Sequence, residues 1–90
     1  RRGLGGFIRI VQVPLRDLVY QDMLSKINEE TDMETVQSMV RYLAQHGMVE
    51  TREAALLMQV VTGLFHSETL AAKERVQMLR TMILTLENFR

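Results

Sequence analysis

Residues 31–47, TDMETVQSMVRYLAQHG, carry a start, an inner face and a stop for one helix. Thr31 followed by Glu34 is a capping-box pattern, in which the hydroxyl accepts from the backbone N–H three residues on and the carboxylate reaches back. Met33, Val36, Val40 and Leu43 then recur at three- and four-residue steps, with Met39 and Ala44 beside them, which is the period of an amphipathic helix. Gly47 after His46 is the residue type that ends a helix in the left-handed conformation. The stretch predicts a helix over 32–46.

Working towards the start, Pro14 is the sole proline and suits the first turn of a helix, where its missing N–H costs nothing. Leu15, Leu18, Val19, Met23 and Ile27 follow at helical spacing with Leu24 alongside, and Asp22 and Lys26 stand four apart on the outer side. A helix is expected over 14–29. Before it, Phe7–Val13 (FIRIVQV) is rich in β-branched residues and locally reads as a strand. No second such run exists to pair with it, so a short helix or an extended arm lying on the helices is expected. Arg1–Gly6 is a basic, glycine-rich lead-in. The chain thus divides into a lead-in and apolar arm over 1–13 and a helical domain over 14–90.

Working towards the end, Thr51 opens a helix over 52–66, with Glu53 placed in the first turn, where negative charge suits the dipole. Ala54, Leu57, Val61, Leu64 and Phe65 form a stripe that Ala55, Leu56, Met58 and Val60 widen. A helix apolar over most of its surface sits in the middle of a fold or faces a partner. Gly63 inside it costs about 1 kcal/mol relative to alanine and suits a close helix approach. A last helix is expected over 68–89, capped by Ser67 or Thr69. Its Ala72, Val76, Leu79, Ile83 and Leu86 make a heptad-like seam, with Met78, Met82 and Phe89 partly off it. One seam can pack on the other helices; the second strip needs another surface to cover it.

Four helices with short connections make consecutive helices antiparallel neighbours. The fold class is therefore all-α: an orthogonal or up-down four-helix bundle with a short N-terminal arm, or a fragment of a helical-repeat array. Residues 14–46 and 51–89 share no self-similarity that would establish a repeat.

Composition narrows the function. With 47% hydrophobic residues in 90, the chain can build one core and is not globally disordered. It has no cysteine, which removes disulfide and thiolate chemistry and favours an intracellular setting, cytoplasmic or nuclear. Eleven basic residues balance eleven acidic ones, whereas phosphate-binding domains carry a basic excess. The longest apolar run, 54–65, is broken by Gln59, Thr62 and Gly63 and falls short of a membrane span. A chain that opens on Arg1 reads as a piece of a longer protein.

No chemistry is legible. His46 and His66 fall at the ends of different helices without the further ligands zinc needs, and favour the helix dipole there. Glu29, Glu30, Asp32 and Glu34 lack the central glycine of a calcium loop. Gly3–Gly6 is followed by no Gly-Lys-Ser/Thr run, and Ser25, Ser38 and Ser67 stand in no nucleophile elbow. The chain is therefore expected to be no enzyme and to hold no cofactor or metal. A helix-turn-helix reading of 32–66 fails because the second helix offers Ala, Ala, Leu, Leu and Met where polar base-reading side chains are required.

What remains is a protein–protein interaction module: a helical adaptor, scaffold or dimerisation domain that takes a partner helix or a second copy of itself. The apolar excess of the last two helices and seven methionines, which adapt well to a partner surface, support it. The expected contacts are Leu79, Met82, Ile83, Leu86 and Phe89, then Met58 and Val61. The alternative is a nucleic-acid-binding helical domain using Arg1, Arg2, Arg9 and Arg16, four cations that precede the first acid, Asp17.

Overall fold

A computed structural model of the chain describes residues 15–88. Four helices occupy the described residues: α1 over 15–26, α2 Met33–Gln45, α3 Thr51–His66 and α4 Ala72–Asn88. The architecture is an all-α bundle with no strand among the described residues. Phe7–Val13 lies outside them.

Periodicity becomes packing most clearly in α1 and α2. Tyr20, Met23 and Leu24 are buried along α1 with Ile27 just past its end, and Val36, Met39, Val40 and Leu43 along α2, both sets at steps of three, one and three. Each set lines a single helical stripe, so the two stripes supply most of the core. Met48 and Val49 close its end, Val61 is the one fully buried side chain of α3, and Leu79 and Ile83 enter from α4. Asp22 and Lys26 pair at 3.0 Å on the solvent side of α1, as their spacing predicts.

The helix ends explain where the observed bounds depart from the expected ones. The first helix stops at 26 rather than 29 because Thr31 Oγ1 donates to the Lys26 carbonyl at 2.7 Å and accepts from the Asn28 N–H at 2.9 Å. Asn28 Oδ1 also accepts from the Glu30 N–H at 2.8 Å, which makes the connection a side-chain-supported turn. With its hydroxyl engaged there, Thr31 does not cap α2. Asp32 does, one residue later, accepting from the Thr35 N–H at 2.9 Å. Hydrogen bonds from the Thr35 side chain and then its backbone hold the Asp32 carboxyl below its ordinary value.

The other end of α2 is as the sequence predicts. Gly47 has φ +70°, the Met48 N–H donates to the Leu43 carbonyl at 2.8 Å and the Gly47 N–H to the Ala44 carbonyl at 3.1 Å. That is the Schellman pattern, with Leu43 and Met48 buried together beneath it. At the start of α3, Glu53 Oε1 accepts from the Glu50 N–H at 3.0 Å. α4 begins at Ala72, four residues later than expected. Ser67 is the C-cap of α3 and bonds Thr69 at 3.3 Å rather than opening α4, and Glu74 Oε1 accepts from the Ala71 N–H at 3.0 Å.

Candidate functional site

α2 packs extensively on α3, while α4 meets α3 more sparsely. Between α2 and α3, Gln37 Nε2 donates to Thr62 Oγ1 at 3.5 Å, and that hydroxyl donates to the Met58 carbonyl at 2.9 Å. The Arg75 guanidinium lies 4.8 Å from the centre of the Phe65 ring and ties the start of α4 to the end of α3. Arg80 reaches from α4 to the Leu24 carbonyl of α1 at 2.6 Å.

This packing sorts the residues expected to meet a partner. Val61, Leu79 and Ile83, expected to meet a partner, are fully buried in the protomer's own core. The seam that periodicity picks out on α4 faces inward and closes on the stripes of α1 and α2. Met58, Met82 and Leu86 are half-buried against that core. Phe89 lies outside the described residues. So do Arg1, Arg2 and Arg9, and Arg16 is half-buried on α1.

The apolar surface lies elsewhere, in places the sequence reading did not single out. On α3, Leu56 is 56% exposed and Val60 48%. At 100° per residue, Leu56, Gln59 and Gly63 fall roughly 140–160° around the helix from Val61, and so point away from the core. Ala55, Leu56, Gln59, Val60 and Gly63 are all exposed, and no charged residue occurs between Ala54 and Phe65. A solvent-facing helix side normally carries charges; this one has a glutamine and a glycine. Gly63 makes no close approach inside the protomer, since a Cβ there would meet nothing within 4 Å. A shallow depression bordered by Met58, Gln59, Thr62 and Gly63 adjoins it.

α4 adds exposed Met78 and Leu84. A second apolar area lies between α1 and α2, around Leu15, Leu18 and Tyr42. Tyr42 stacks on His46, ring centres 4.2 Å apart, and His46 is the C-cap of α2. Among the described residues, no three His, Asp or Glu side chains converge on a metal-sized site, and no helix is long and apolar enough to cross a membrane.

The fold is that of a small helical bundle with one uncharged outer helix face. Residues 16–85 match the family model described as the CtsR C-terminal dimerization domain, and the chain belongs to that family. No curated protein and no solved structure gives a significant match to it. The domain is accordingly a dimerisation module, and its partner is a second copy of itself.

Proposed function

We propose that two copies pair through the outward face of α3, with Leu56, Val60 and Gly63 at its centre and Met58 at its margin. The observation that carries this reading is the run of uncharged residues from Ala54 to Phe65, of which only Val61 is fully buried within the protomer. A face that meets its own copy about a two-fold axis must be self-complementary. An uncharged stripe is, because it sets no like charges against each other. Gly63 lets two α3 backbones approach closely where they cross. A stable interface takes about 800 Å² from each partner, more than one helix face offers. The next exposed apolar side chains, Met78 and Leu84, are on α4 beside it. Met82 and Leu86 keep most of their surface for the protomer core. In this reading the domain acts inside the cell, takes no part in catalysis and holds no cofactor.

The test is sedimentation equilibrium over a range of concentrations. The wild-type chain should be a dimer, and Leu56→Glu or Val60→Glu should be monomeric with unchanged helical circular dichroism. A dimer that survives the double variant with undiminished affinity would sink the assignment of α3.

A further inference from the structure

The groove between α1 and α2 has a volume of about 540 Å³ and is walled by Leu15, Leu18, Val19, Met23, Met39 and Tyr42. Leu18 is 62% exposed, Leu15 54% and Tyr42 43%, so one end of the groove sets bare apolar surface against water. The other end, where the chain turns from α1 into α2, is bordered by Asp22, Lys26 and Thr35. That end is acidic. From Asp17 to Val40 the charged side chains are Asp17, Asp22, Glu29, Glu30, Asp32 and Glu34, all exposed, against the sole base Lys26. Asp22 engages Lys26 at 3.0 Å, which uses the one cation this stretch holds.

We propose that this groove receives an amphipathic helix of a different protein, one with aliphatic side chains along one face and lysine or arginine at the end that lies over the 27–32 turn. The length fits. From Leu15 to Lys26 the α1 wall is roughly 16 Å long at 1.5 Å per residue, room for about three helical turns. A helix of that length sets apolar anchors at i, i+4 and i+7 into a groove between two others. Its anchors cover Leu15, Leu18 and Tyr42. Its bases meet the acids around the turn, where opposite charge speeds encounter and fixes the direction in which the helix lies. A second copy of this chain fits the groove less well. The outward face of α3 carries no charge, and the outward side of α4 around Met78 carries Glu74. Neither brings bases to the acidic end. The groove is on the first two helices, apart from the α3 face assigned to pairing, so one domain can hold its copy and this partner together.

The probe is a fluorescein-labelled peptide of about twelve residues, with leucines at helical spacing on one face, alanines elsewhere and lysines at one end. A control peptide carries glutamates in place of the lysines. Anisotropy with the wild-type chain at low salt should show saturable binding of the lysine peptide, about tenfold or more tighter than the control. Salt at about 0.5 M should weaken it severalfold, because exposed charges are screened. Leu18→Gln leaves the charges alone and should weaken binding about tenfold. Asp22→Asn combined with Glu34→Gln leaves the apolar walls alone and should weaken it roughly threefold. Val60→Glu, which separates the copies, should bind as wild type does. Circular dichroism checks each variant, and Leu15→Gln replaces Leu18→Gln should that chain unfold. No binding of the lysine peptide overturns the proposal, as does equal binding of the control. Binding undiminished in a folded Leu18→Gln chain places the peptide elsewhere and overturns it too. So does a wild type that sediments as a tetramer and returns to a dimer in Leu18→Gln, because the groove is then filled by a further copy. The two readings fail separately: a monomeric wild type ends the α3 assignment, while the peptide affinities still decide the groove.

Discussion

Arg80 of α4 donates from Nη1 to the carbonyl oxygen of Leu24 at 2.6 Å, joining residues 56 positions apart. Leu24 lies in the last turn of α1, where its carbonyl also accepts from the Ile27 N–H at 3.3 Å and carries the negative end of the helix dipole. Arg80 sits next to the buried Leu79 and one turn from Ile83, so the bond is made where α4 enters the core.

Replacing Arg80 by methionine keeps an apolar stem and removes the donor. The expected loss is about 1.5–3 kcal/mol, the range for a hydrogen bond from a charged group. Lysine should recover part of it, since it restores the charge without the planar fork. Urea unfolding at one fixed protein concentration measures this, and a midpoint unmoved by Arg80→Met would show that the bond contributes nothing.

Ile83→Ala and Leu79→Ala should each cost about 2–5 kcal/mol, the usual range for truncating a large aliphatic side chain in a packed core. The same loss is expected in the monomeric Val60→Glu background, because both side chains belong to the protomer. Were they partner contacts instead, unfolding of the monomer would be insensitive to them and only the dissociation constant would change.

Gly63→Ala separates the two roles of that glycine. A Cβ meets nothing within the protomer, so alanine should stabilise the Val60→Glu monomer by about 1 kcal/mol through helix propensity alone. A bulky residue at the crossing point of two α3 helices should hold them apart. Gly63→Leu is therefore expected to fold normally and to raise the dimer dissociation constant; tight association by this variant would move the crossing point away from residue 63.

Asp32 gives the domain a dependence on acid. Its carboxyl is held below the ordinary value of 3.8 in the folded state, chiefly by hydrogen bonds from Thr35. A group with a depressed folded value stabilises the fold fully above its unfolded pKa, and that contribution fades as pH falls through the folded one. Asp32→Asn keeps a capping oxygen that does not titrate. The variant should lose less stability than wild type between pH 5 and pH 2, as read by thermal unfolding. Parallel curves for the two proteins would contradict this account.

What the amino-acid order determined unaided was local. The turn at Gly47 is legible because left-handed backbone selects glycine, and the stripes of α1 and α2 are legible because each alternates apolar and polar sides at one period. The Asp22–Lys26 pair follows from spacing alone. Even the misplaced cap shows the limit of local reading: Thr31 and Asp32 are both competent, and Asp32 takes the position because the end of α1 uses the Thr31 hydroxyl.

Only the tertiary structure decided which way α3 and α4 are turned. Both helices carry apolar residues around more than one side, so periodicity permits several inward faces for each. The stripes of α1 and α2 offer one place to bury a strip from each helix, and Val61, Leu79 and Ile83 fill it. Leu56 and Val60 are left outside by that choice, although nothing in their side chains distinguishes them from the residues inside. The family's dimerisation role was within reach of composition, since an oily ninety-residue chain with no legible catalytic motif points to an interface. The location of that interface depends on helix rotation, which is set by the competition among all four helices for one small core.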